Sequence, residues 1–212
     1  FVFEPWQVAA YVTALRTKPF VILAGISGTG KSRLPQLVAQ ACGFQCDLLP
    51  VRPDWTDSSE LLGYTDLANT FRPRPFLEIA EKACQRLDQG FVIVLDEMNL
   101  ARVEHYFAEV LSRIEDRRKE GTRWVSRPLV SGGASERLDS GYERWLRVGL
   151  PPNLFLVGTV NMDESTHGFS RKVLDRAFTL ELSDVKLGQW GRPETASTNG
   201  SAEPGASRTS AG

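Results

Sequence analysis

Residues 25–32 read GISGTGKS, directly after the apolar run FVILA at 20–24, and the reading of this junction decides the fold. FVILA is short, carries β-branched residues and is bounded by Pro19 and Gly25, which predicts a buried strand. Downstream, KSRLPQLVAQAC holds Leu34, Leu37, Val38 and Ala41 at helical spacing until Gly43 stops it. Pro35 removes one backbone donor early in that helix. Glycines between a strand and a helix let the backbone curl so that several N–H groups point at one anion, and the helix start near Gly30 adds the positive end of its dipole.

The stretch satisfies GxxxxGK[ST]: Gly25, Gly30, Lys31 and Ser32 stand at the fixed positions, with Ile26, Ser27, Gly28 and Thr29 between them. In such a loop Lys31 reaches the β- and γ-phosphates of a nucleotide and the Ser32 hydroxyl ligates Mg²⁺. A glycine-rich turn can match by accident, but a strand before it and a helix after it make that rare.

Working outward, four more strands are expected: CDLLPV (46–51), FVIVLDE (91–97), NLFLVGTVN (153–161) and AFTLEL (177–182). FVIVLDE is continuous rather than alternating, as in a parallel sheet covered on both faces. Helical stripes are expected at Val8, Tyr11, Val12 and Leu15; at Phe76, Ile79, Ala80, Ala83, Cys84 and Leu87; and at Val103, Phe107, Val110, Leu111 and Ile114. Strands alternating with helices predict a parallel α/β sheet.

The run FVIVLDE ends on Asp96 and Glu97. Ligands of such sheets bind beyond the carboxyl ends of the strands, so Asp96 is the expected metal partner and Glu97 the candidate general base for an attacking water. Exposed acids also end strands for solubility alone; their pairing with the loop favours the functional reading. Asn161, at the end of NLFLVGTV, could reach the γ-phosphate or the water, although Asn is an ordinary turn former. Arg176 precedes the last strand and in isolation reads as a salt-bridged surface arginine.

Composition bounds the rest. With 212 residues, 42% of them hydrophobic, the chain can bury the core of one α/β domain. Lys and Arg number 25 against 26 Asp and Glu, and a net charge of -1 draws in neither nucleic acid nor an anionic membrane, so such a partner must meet a local patch. Cys42, Cys46 and Cys84 form no CxxC pair or histidine cluster, which indicates neither a disulfide framework nor zinc and fits a cytoplasmic location. No apolar run approaches the roughly 18 residues of a membrane span, and no basic segment precedes an apolar leader. The first residue is Phe1 rather than Met, as in a fragment.

The blocks AGISGTGKS, WTDSSELLGY, VLDEMNLARVEHYFAEVLSRIE and PPNLFLVGTVNMDESTHGFSRKVLDRAF, in that order over residues 5–182, resemble an AAA+ module of the McrB-like and dynein-related type. That family's namesake is the NTP-hydrolysing subunit of a 5-methylcytosine-specific restriction system. The resemblance implies an α/β P-loop NTPase with a five-stranded parallel sheet between helices, hydrolysis of ATP or GTP with Mg²⁺, and assembly into a homo-oligomeric ring, a hexamer. It makes Gly25 to Ser32 the Walker A loop, Asp96 and Glu97 the Walker B pair, Asn161 the sensor 1 residue and Arg176 the arginine finger of a neighbour's site, with Arg171 as the fallback. Within a restriction or defence system it further implies a motor role and a nuclease or other effector subunit.

Departures from the family pattern shape these expectations. The domain core is read over 1–183, with an insert at 116–152 before sensor 1, and 184–212 as a tail in place of the C-terminal helical lid and its sensor 2. From Gly191 to Gly212 there is no large apolar residue, so the tail is expected to be disordered. Without the lid, the alternative is a nucleotide-binding module that does not turn over alone. A small-molecule kinase shares the loop but not the Asp-Glu step with a later strand-end Asn. Where the restriction GTPase carries an Asn-Thr-Ala-Asp signature this chain reads NMDESTH (161–167), so ATP is the default nucleotide. The insert carries Arg117, Arg118, Lys119, Arg123, Arg127, Arg137, Arg144 and Arg147 with Trp124 and Trp145; it reads as a solvated face, or else as a pore-facing surface for nucleic acid or polypeptide. His105 and His167 are given no role.

Overall fold

The computed structural model describes residues 3–121, 123–131, 141–162 and 167–182. The expected tail and Arg137 lie outside the described residues.

Helix α1 (Pro5–Thr17) starts on Pro5, where a missing N–H costs nothing. Its buried face is Gln7, Tyr11 and Ala14. The expected stripe is therefore rotated about the helix axis: Val12 is exposed, and Val8 and Leu15 only flank the core. Strand β1 (Phe20–Gly25) leads through the glycine loop into α2 (Arg33–Cys42). Pro35 is the third residue of α2, within its first turn, where the helix tolerates a proline. Strand β2 (Gln45–Pro50) is followed by α3 (Ser59–Leu62), the hairpin β3 (Gly63–Thr65) and β4 (Phe71–Pro73), and α4 (Pro75–Gln85).

Strand β5 (Phe91–Asp96) then precedes α5 (Val103–Tyr106) and α6 (Ala108–Asp116). The single helix expected here is broken at Phe107, whose φ of -102 and ψ of 5 depart from helical values. The apolar stripe survives the break, because Val103, Phe107, Val110 and Leu111 are all buried. A second hairpin, β6 (Arg118–Glu120) and β7 (Arg123–Val125), precedes β8 (Leu154–Asn161), α7 (Arg171–Leu174) and β9 (Phe178–Glu181).

The five long strands form one sheet in the order β2-β5-β8-β1-β9, every pair parallel. Side chains alternate across it. Phe91, Ile93 and Leu95 of β5 face the larger cluster with Phe76, Tyr106 and Phe107, while Val92 and Val94 face a smaller one with Tyr11 and Leu34. That two-sided burial is why β5 reads as an unbroken apolar run, each side chain contributing about 1.5–3 kcal/mol. Parallel pairing puts all carboxyl ends along one edge, with Gly25 opposite Asn161 and Leu95 opposite Gly158.

The segment between α6 and β8 is more than a solvated face, because it also buries apolar side chains. Leu129, Val130, Tyr142, Trp145, Val148 and Leu150 are buried in the larger cluster, and Phe71 of the first hairpin meets Tyr142 edge-on at 5.0 Å. Trp145 is 3% exposed, whereas Trp124 is 47% exposed. The segment is thus a cover over the core with a solvated outer face. Four of its arginines are engaged within the chain: Arg127 with Asp116 at 2.5 Å, Arg118 with Glu120 at 2.6 Å, Arg144 with Glu81 at 3.6 Å, and Arg117 over the Trp124 ring at 5.5 Å. The Arg127 guanidinium holds the Asp116 carboxyl below the usual carboxylate range.

Candidate nucleotide-binding site

The glycine loop occupies the tip of β1. Gly28 and Gly30 have φ of 82 and 85, a region that disfavours side chains. At Gly25 the constraint is close approach: a Cβ there would stand 2.4 Å from the Leu182 carbonyl oxygen. The Arg33 and Leu34 amides both donate to the Gly30 carbonyl at 2.9 Å, so the helical turn begins at Gly30, as the sequence predicted.

Lys31 is 6% exposed and folds back over the loop, its Nζ donating to the carbonyls of Gly25 at 2.9 Å and Ile26 at 2.6 Å. A buried ammonium held by carbonyl oxygens is satisfied yet not neutralised by them. Thr29 Oγ1 donates to the Ile26 carbonyl and braces the turn, and the Ile26 side chain points to solvent.

Opposite the loop stand the tips of β5 and β8. Asp96 Oδ1 accepts from the Ser32 hydroxyl at 2.5 Å and from the Thr159 hydroxyl at 2.7 Å. Glu97 has left the strand in a left-handed conformation, φ 53 and ψ 46. Its carboxylate Oε1 accepts from the Asn161 amide at 2.8 Å, and its backbone N–H donates to Thr159 Oγ1 at 2.9 Å. Asn161 is held from behind, since its carbonyl accepts from Asn99 Nδ2 at 3.3 Å. Between the two sides lies a cavity of about 270 Å³, lined by Ser27, Gly28, Gly30, Lys31, Ser32 and Arg33 on the loop side and by Asp96, Glu97, Thr159 and Asn161 on the other.

Lys31, Ser32, Asp96, Glu97 and Asn161 therefore converge, although they come from three strand tips spread over 130 residues of sequence. Asn161 reaches Glu97 rather than standing apart from it. Arg176 is not brought to this cavity. Its Nη2 pairs with Glu115 and its Nη1 donates to the Lys172 carbonyl at 2.7 Å; Arg171, the first residue of α7, is exposed. Thr159, Asn99 and Arg33 were missed in the sequence. Thr159 had a signal, because it lies two residues before Asn161 and so shares its face of the strand.

Ser32 and Asp96 present hard oxygens side by side, a donor set suited to Mg²⁺ sharing its remaining sites with water and phosphate. Among the described residues no three His, Cys, Asp or Glu side chains cluster to form an all-protein metal cage.

A parallel sheet in this order, with a glycine loop at the tip of one strand facing acids at the tip of another, defines the P-loop class of α/β nucleotide-binding modules. Residues 20–178 match the family model described as AAA domain (dynein-related subfamily), and the chain belongs to that family. It is thus an AAA+ nucleotide-binding ATPase module. Over 182 residues it is 24% identical to the "Type IV methyl-directed restriction enzyme EcoKMcrB subunit" of Escherichia coli (strain K12). That alignment takes in 82% of this chain and 36% of the relative, so the chain spans little more than a third of that protein's length.

Proposed function

We propose that the chain binds and hydrolyses a nucleoside triphosphate with Mg²⁺, ATP by default, as one subunit of an AAA+ ring. The observation that carries this reading is the bridge across the cavity: Ser32 of the loop bonded to Asp96, with Glu97 beside it held by Asn161. In this reading Gly25 to Ser32 form the Walker A loop, whose amides and Lys31 bind the phosphates. Ser32 and Asp96 hold the Mg²⁺, which when bound offsets charge on the phosphates. Glu97 takes the proton of the attacking water, and the Asn161 amide sets the direction of that carboxylate.

Arg176 completes the site of a neighbouring subunit, which requires it to leave Glu115 on assembly. A homo-oligomeric ring, a hexamer, meets that requirement, and Arg171 takes the role if Arg176 stays paired. Similarity to a restriction-enzyme subunit favours a motor role in a restriction or defence system with a nuclease or other effector partner. The ion pairs within 116–152 leave nucleic acid to meet partner chains or the residual charge of that face. Among the described residues no helix is long and apolar enough to cross a membrane, and we place the module in the cytoplasm.

Glu97→Gln tests the chemistry. Nucleotide affinity should stay within about threefold while turnover falls by about 100-fold or more; turnover equal to wild type sinks the assignment of the base. A second reading is a nucleotide-binding module without turnover of its own, favoured by the Arg176–Glu115 pair that keeps the candidate finger engaged within its own chain. Turnover per subunit rising steeply with protein concentration identifies the ring ATPase, whereas tight binding with no turnover at any concentration identifies the passive module.

A further inference from the structure

The strand position that joins the two acids is occupied by a hydroxyl. Thr159 is 1% exposed, in a central strand between Gly158 and Val160, with Val157 on its buried flank. A hydroxyl buried in such a strand destabilises the fold unless its hydrogen-bonding capacity is used. Here both kinds of capacity are spent on the site. The proton goes to Asp96 Oδ1 at 2.7 Å, and the oxygen accepts from the Glu97 backbone N–H at 2.9 Å. Valine would fill the same volume and suit the strand better, so packing alone does not call for threonine here.

From this geometry we infer that Thr159 is a positioning residue, tying the metal-holding carboxylate to the turn that carries the general base. The inference rests on the function proposed above. Glu97 sits in the left-handed region, which a non-glycine residue adopts only at a cost in free energy. The Thr159 oxygen fixes the amide of that turn and so the root of the Glu97 side chain. The same hydroxyl, with Ser32, holds Asp96 Oδ1 toward the loop. One side chain thereby sets where Mg²⁺ sits and where the base starts, while touching neither nucleotide nor water.

The test compares Thr159→Val, which removes the hydroxyl at constant volume, with Thr159→Ser, which keeps it. In the full chain, affinity for a fluorescent ATP analogue is measured in EDTA and with saturating Mg²⁺, together with phosphate release across a Mg²⁺ titration and the melting temperature. Binding in EDTA should stay within about threefold of wild type for both variants. In Thr159→Val the affinity gained on adding Mg²⁺ should shrink, and turnover should fall, each by about tenfold to a hundredfold, the range for a hydrogen bond to a charged group. Thr159→Ser should restore both to within about threefold.

Wild-type Mg²⁺ dependence in Thr159→Val overturns the proposal, as does a Thr159→Ser variant as impaired as the valine. A valine variant that melts early and binds equally poorly with and without Mg²⁺ also overturns it, in favour of a purely structural threonine. If instead the wild-type chain binds no nucleotide, the function proposed above fails first; if it binds without turnover, the Mg²⁺-linked affinity still decides.

Discussion

The glycine-loop end of the sheet and the segment between α6 and β8 are both polar in sequence, yet they use polarity in opposite ways. At the sheet end, polar groups are buried: Lys31, Thr159 and Asn161 are nearly inaccessible, and each bonds within the site. In the 116–152 segment Arg118 and Arg127 lie at the surface in ion pairs, and the side chains packed into the core are apolar, Trp145 and Leu129 among them. Buried polar groups are costly to keep and mark function; exposed charges over a buried tryptophan mark a cover.

That contrast predicts a reversal between two variants. Trp145→Ala should cost about 3–5 kcal/mol of stability, the range for truncating a large buried aromatic, with nucleotide affinity of the folded fraction within about threefold of wild type. Denaturant unfolding and a nucleotide titration below the transition check both halves. Loss of affinity beyond the folded fraction would mean that the cover also shapes the site.

Lys31→Ala should do the converse. Nucleotide affinity should fall by about 100-fold, equivalent to about 2.7 kcal/mol, while stability changes little, because the ammonium bonds to the Gly25 and Ile26 carbonyls within its own loop. Titration with a fluorescent nucleotide and a melting curve separate the two effects. A large drop in melting temperature would recast Lys31 as a clamp on the loop.

The same contrast explains what could be read in advance. The five strands, their parallel arrangement and the convergence of Lys31, Ser32, Asp96, Glu97 and Asn161 follow from short motifs whose spacing is dictated locally. Thr159 escaped because one threonine in an apolar strand looks like any β-branched residue until the turn at Glu97 is seen. The burial of Trp145 depends on partners such as Phe71, more than 70 positions earlier, and no periodicity in an arginine-rich segment reports such a partner. The hairpin of β3 and β4 escaped for a similar reason: its strands are three residues each, too short for alternation to register. The break at Phe107 lay hidden because an apolar stripe keeps its spacing across a local change of backbone angles.

The smallest expected effect lies on the outer face of the cover, in the pair between Arg127 and Asp116. The hydrogen bond and positive charge of Arg127 lower the folded-state pKa of Asp116. A carboxyl depressed on folding adds stability above its unfolded pKa and loses that contribution as pH falls through the folded value. The pair therefore contributes at neutral pH and not in strong acid. Arg127→Ala should reduce stability slightly at pH 7 and converge on wild type on acidification to about pH 2, well below the ordinary aspartate pKa. Because both side chains meet solvent, salt at about 1 M should shrink the neutral-pH difference further. Melting temperatures of the two proteins across pH, at low and high salt, check this. A difference that persists in acid and is indifferent to salt would show that Arg127 supports the cover through its packing, and the division between buried apolar underside and electrostatic outer face would fail at that residue.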